Sequence, residues 1–168
     1  IVFSSLTASI GNLIVTAEER SRLKVFKCMQ MVSFFFATYS VTCIYYLIHE
    51  FMILIWLKTD QYLLDDFTLL AILANFYLAV TLQPLWSYRE ATGLYRKTRY
   101  VMVIAALINL VLSIILGIKW GIGGIIFASF IAKLVTYVWY EPKLLFEEYF
   151  KESVITYFKS QIINVGLL

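Results

Sequence analysis

The sequence predicts an all-α fold, a polytopic membrane helix bundle of about five transmembrane helices with the start of a further one. Three observations carry this. Hydrophobic residues are 61% of the chain and charged residues 15%, against roughly 45–50% and about 25% in ordinary soluble domains. Residues 100–118 and 121–140 are two apolar runs back to back. A run of about 19 residues, at ~1.5 Å each, reaches roughly 28 Å as a helix, the thickness of a bilayer's hydrocarbon core. Finally, the cations are segregated: four Lys/Arg fall in residues 17–27 and four in 89–99, against Lys58 alone between them and Lys119 in the hairpin turn. By the positive-inside rule both basic segments face the cytoplasm, and the helices between them alternate accordingly. A net charge of +3 is too small to argue for nucleic acid, and the cations sit in membrane-flanking segments instead.

Taken in order, residues 1–15 read as part of a membrane helix that is unusually polar, with Ser4, Ser5, Thr7, Ser9 and Asn12. Such groups must find partners in neighbouring helices or line a wet cavity, and both readings stay open. Residues 17–27 read as a short basic loop. The second span, 28–48, is rich in aromatics, and His49–Glu50 marks its far end. The apolar stretch 51–57 is too short to cross, and residues 49–64 read as an interfacial segment. Cys28 and Cys43 are 15 positions apart on one helix, roughly 22 Å, too far to bond to each other.

The third span, 67–88, carries Ala71, Asn75, Ala79 and Gln83 at four-residue steps on one side. Pro84 removes the hydrogen bond to the Val80 carbonyl and bends the helix, either as a static kink or as a hinge. After the basic stretch of Arg89, Arg96, Lys97 and Arg99, whose role is orientation or the attraction of lipid phosphate, the spans 100–118 and 121–140 form a hairpin. Gly117, Gly121, Gly123 and Gly124 surround its turn at Lys119–Trp120. Ala105, Asn109, Ser113 and Gly117 on one arm, and Gly124, Ala128 and Ala132 on the other, are the expected faces of approach. A separate stripe holds Ser129, Lys133 and Thr136. Lys133 is a charge within a span, and it either snorkels to the cytoplasmic interface or faces a hydrated cavity. Glu141–Pro142 is expected to end the helix. Residues 141–159 read as a cytoplasmic amphipathic interfacial helix and 160–168 as the start of another span.

The order SSLTASIGNLIV, basic loop, FMILIWLKTDQYLL, QPLWSYREATGLYRKTRYV, INLVLSIILGIKWGIGGIIFAS and YEPKLLFEEYFKES resembles the polysaccharide/O-antigen flippases of the multidrug/oligosaccharidyl-lipid/polysaccharide exporter superfamily. The resemblance spans essentially the whole chain. It implies a piece, residues 1–140, of one lobe of a two-lobe transporter with 12–14 helices, in a bacterial cytoplasmic membrane. A first residue that is Ile1 rather than Met, and an end within an apolar segment, fit the expectation of a longer protein. The implied partners are lipid-linked oligosaccharide of the undecaprenyl-pyrophosphate type, membrane lipids and the remaining helices of the transporter. No cofactor, metal or catalytic residue is implied. A flippase must shield a sugar-pyrophosphate head from hydrocarbon, so the candidate cavity residues are Asn75, Gln83, Asn109, Ser129 and Lys133. Lys133 departs from the small polar residue that the resemblance would place there. A drug/cation antiporter of the same superfamily would call for an acidic residue deep in a span. A membrane-embedded polymerase or glycosyltransferase would call for clustered acid, base or metal ligands on substantial loops. Neither pattern stands out.

Overall fold

The structure, a computed structural model, describes residues 10–12, 18–56, 64–151 and 153–166. Among these there is no strand. The chain forms α1 (Glu19–Phe51), continued by a π-helical turn (Met52–Trp56), then α2 (Asp66–Ala91), α3 (Tyr95–Val135), α4 (Tyr137–Leu145), a second π-helical stretch (Phe146–Phe150) and α5 (Ile155–Gly166). Three segments, Ser21–Leu54, Asp66–Ala91 and Tyr95–Phe150, are long and apolar enough to cross a membrane.

The basic stretch expected as a loop at 17–27 is helical from Glu19 onward. The difference has a simple cause: Arg, Lys and Glu are good helix formers, so charge marks where the apolar environment stops without stopping the helix. Of the first expected span, residues 1–9 and 13–15 lie outside the described residues, as do 57–63 of the expected interfacial segment.

Asp65 starts α2. One of its carboxylate oxygens accepts the Thr68 N–H at 3.1 Å and the other accepts the Thr68 hydroxyl at 2.6 Å, the usual means of satisfying a first-turn donor. Those two bonds hold the Asp65 carboxyl below its ordinary pKa. Pro84 lies inside α2 and is buried. At the other end, Gly93 at φ 72° lets residues 92–94 turn the chain into α3. The basic stretch 89–99 is therefore two helix ends around a tight turn.

α3 reverses direction at Gly121 (φ 60°, ψ −140°), a backbone state that suits glycine. Ser129 Oγ donates to Asn109 Oδ1 at 3.3 Å across 20 residues, which in an unbroken helix would be about 30 Å apart. The two arms pack closely at small residues. A Cβ added at Gly124 would collide with the Leu116 carbonyl, and one at Gly117 would sit 2.9 Å from Ile125 Cγ1. Ala105, Ala128 and Ala132 are buried. The tip docks on the start of α2, where Phe67 stands 5.3 Å from Trp120 and 5.6 Å from Phe127, ring centre to ring centre, both edge-on.

Pro142 does not end its helix. α4 runs through it to Leu145 and continues into the π-helical stretch, because proline removes one hydrogen bond but fixes a φ close to what a helix already needs. The break comes at Lys151, in the left-handed region at φ 51°. The expected surface helix over 141–159 is thus two pieces. Their apolar residues Leu145, Phe146, Phe150 and Tyr157 are buried against Phe26, Leu82, Leu85 and Tyr88 of α1 and α2. Phe26, fully buried, stands 5.2 Å from Tyr88 and from Phe150, and 5.8 Å from Phe146. This aromatic core lies at the basic end. Burial also pushes up the pKa of the Tyr157 phenol within it.

Candidate functional site

The polar residues of the spans meet where α2 faces the returning arm of α3. Asn75 Nδ2 donates to the Ile126 carbonyl at 2.7 Å and to the Ala71 carbonyl at 3.1 Å, and Asn75 Oδ1 accepts from Lys133 Nζ at 3.1 Å. Ile126 lies about two turns, roughly 10 Å, before Lys133 on the same arm. The lysine therefore reaches back along its helix towards the Gly121 tip, the direction in which helical side chains naturally lean. That direction leads away from the basic end, where a snorkelling ammonium would go. Among the described residues no carboxylate lies within ion-pair distance of Lys133. It is a half-buried cation held by a neutral amide.

Asn109 gathers the two arms of the hairpin: its Oδ1 accepts from Ser113 Oγ at 3.0 Å as well as from Ser129 Oγ. Ser129 and Lys133 are one turn apart, so the Asn75–Lys133 and Asn109–Ser129 pairs lie along one polar seam. Gln83 stands apart, half-buried beside Pro84, and makes no hydrogen bond among the described residues. The structure brings four of the five expected cavity residues together, with their hydrogen bonds directed within the bundle.

The basic candidates divide in the same way. Arg89 pairs with Glu141, whose side chain is only 2% exposed. Lys97 pairs with Glu148. The Arg99 guanidinium lies 4.7 Å from the centre of the Tyr100 ring, a cation–π distance. Arg96 is exposed, without a partner among the described residues. Three of the four thus make contacts within this chain, and two of them clamp the 89–99 turn to the segment that follows the hairpin.

Two cavities open beside α1, and neither is lined by the five polar candidates. The lower, about 410 Å³, is bordered by Lys27, Gln30, Phe34, Tyr157, Ser160 and Asn164. The upper, about 640 Å³, is bordered by Val41, Tyr45, Leu73, Tyr77, Leu134 and Gln161. Sequence reasoning anticipated neither, and the lower one left the clearer trace. Its only signal was the cluster Ser160, Gln161 and Asn164 within a stretch otherwise read as the start of a span.

Among the described residues no three His, Cys, Asp or Glu side chains stand close enough to hold a metal ion. Cys28 and Cys43 are free, and His49 Nε2 lies 3.4 Å from the Leu64 carbonyl oxygen. No protein-family model, curated protein or solved structure matches the chain.

Proposed function

We propose that this chain is part of a polytopic transporter of the bacterial cytoplasmic membrane that flips lipid-linked oligosaccharide, of the undecaprenyl-pyrophosphate type, during surface polysaccharide assembly. On this reading five spans belong to one lobe, and the remaining helices of a longer protein complete the cavity. Lys133 carries the proposal. A lysine near the middle of an apolar helix costs roughly 2.5–3.5 kcal/mol on the insertion scale, and this one faces Asn75 with no carboxylate among the described residues to neutralise it. A cation kept in that state suits an anionic ligand that comes and goes, as a pyrophosphate head does. Asn75, Asn109 and Ser129 beside it offer the amides and hydroxyls that sugars require. The outward face of the first hairpin arm, with Val103, Leu107, Leu110, Ile114 and Ile118 exposed, suits acyl chains.

Complementation of a strain deleted for the full-length gene tests this reading. Lys133→Met is expected to reach the membrane at the wild-type level, since it removes a half-buried cation that no carboxylate among the described residues neutralises and leaves only the Asn75 Oδ1 acceptor without its donor. It is also expected to lower surface polysaccharide at least about tenfold, the loss that accompanies one desolvated charge–anion contact, and lipid-linked oligosaccharide should accumulate on the inner leaflet. Normal export by Lys133→Met, or a deletion strain that never makes the lipid-linked repeat, overturns it.

A further inference from the structure

The two cavities beside α1 follow one stripe of that helix. Lys27, Gln30 and Phe34 border the lower, and Val41 and Tyr45 the upper. The steps of three, four, seven and four residues keep all five on one side. Tyr157 and Gln161 of α5 border both cavities, so the two are neighbours along that helix. From Lys27 to Tyr45 the stripe runs roughly 27 Å.

Polarity changes along it in one direction. At the basic end the lower cavity is rimmed by the exposed ammonium of Lys27, which has no ion-pair partner among the described residues, and by Ser160, Gln161 and Asn164. Higher up, the wall is Val41, Leu73, Leu134 and the faces of Tyr45 and Tyr77. A cation with hydroxyls and carboxamides at one end and, at the other, a mainly apolar furrow of aliphatic and aromatic side chains with Thr42 and Thr81 among them complements an amphiphile with an anionic head. Basic recesses between membrane helices on the cytoplasmic side are the usual seats of such heads. The volume of about 640 Å³ in the furrow suits a single acyl chain, within the ~300–1,000 Å³ of small-molecule sites.

We propose that these two cavities are one binding site for an anionic glycerophospholipid of the membrane. Its phosphate and glycerol sit against Lys27, Ser160 and Asn164, and one acyl chain lies in the furrow between α1, α2 and the returning arm. The site is separate from the Lys133 seam. It requires that the chain lie in a membrane, and does not depend on which substrate the transporter moves.

The test uses the full-length protein in phosphatidylcholine nanodiscs doped with a phosphatidylglycerol that carries a diazirine near the end of one acyl chain. After irradiation, adducts are expected on peptides containing residues 41–46, 70–82 and 130–138, competed by unlabelled phosphatidylglycerol and not by phosphatidylcholine. Lys27→Gln, an exposed change, is expected to lower labelling about fivefold, the factor one juxtamembrane cation contributes. Ala74→Phe, which fills the furrow, is expected to remove those adducts while the protein stays folded by its circular dichroism. Adducts spread evenly over the outer face of α3, labelling indifferent to Lys27→Gln, stronger competition by undecaprenyl phosphate than by phosphatidylglycerol, or a furrow cross-linked to another segment of the protein would each overturn the inference. Flipping assayed on the same preparation separates the two ideas: active protein that is not labelled breaks only this one, and labelled protein that does not flip breaks only the substrate reading.

Discussion

The basic end of the bundle and the hairpin hold together by opposite means. At the basic end, large rings interlock: Phe26, Tyr88, Phe146, Phe150 and Tyr157 form one buried cluster, Tyr88 donates its hydroxyl proton to the Arg22 carbonyl at 3.1 Å, and Arg89–Glu141 forms a buried ion pair. In the hairpin the contacts are small: Gly117, Gly124, Ala128, and the Asn109–Ser129 bond. The difference is the one that the two solvents of a membrane-embedded chain, the reading proposed above, would produce. Where water is near, burying a phenylalanine removes apolar surface from it and stabilises the fold. Between helices in hydrocarbon no such gain exists, since lipid tails are as apolar as leucine, and close backbone approach with interhelical hydrogen bonds takes over.

The strongest way to break this contrast is at the ion pair. Glu141→Ala leaves the buried Arg89 with only the exposed Glu90 carboxylate, at 3.9 Å, and is expected to destabilise the protein by about 3–4 kcal/mol, the lower part of the range for a broken buried pair, read from denaturant titration in mixed micelles. Replacing both members, Arg89→Met with Glu141→Leu, is expected to recover most of that, because the penalty arises from the orphaned charge. Phe26→Ala comes next, at about 3 kcal/mol, since its ring touches four others and the cavity left behind cannot collapse around rigid aromatics. The same titration measures it.

The hairpin answers to size. Gly124→Ala places a methyl against the Leu116 carbonyl, a backbone atom that cannot step aside, so the arms must separate; about 1–3 kcal/mol is expected. At Gly117 the obstacle is the Ile125 side chain, which can change rotamer, so Gly117→Ala should cost clearly less. Equal costs at the two glycines would mean that the arms are not held in register by backbone approach.

The hairpin was legible in the sequence because both its signals are local: glycines around Lys119–Trp120, and small residues at four-residue spacing on each arm. The partners of Asn75 were not legible. Ile126 and Lys133 are 51 and 58 residues away, and no periodicity in α2 points to them. The segment after Glu141 misleads for another reason. Leu145, Phe146, Phe150 and Tyr157 at helical spacing announce an apolar face, but a face carries no mark of whether lipid or protein covers it. Phe26 is the least visible of all, one aromatic among Lys24, Lys27 and Arg22 in what reads as a charged loop, although four rings converge on it in the fold.

The smallest effect is expected at the most conspicuous polar contact. Asn109 joins both arms, and in a hydrocarbon setting the loss of such a bond would be severe if no other acceptor stood near. Asn109→Ala nevertheless leaves only the Ser113 and Ser129 hydroxyls without an acceptor, and each can turn to a carbonyl three or four residues back on its own helix. Unfolded chains in a membrane also find partners for their polar groups, so interhelical bonds of this kind average about 0.6 kcal/mol. A loss of that order in mixed-micelle titration, well below that of Gly124→Ala, would show that the arms are held by close approach and that the seam serves chiefly to keep polar groups inside the bundle. A loss of several kcal/mol would reverse that ranking and make Asn109 the main fastening of the hairpin.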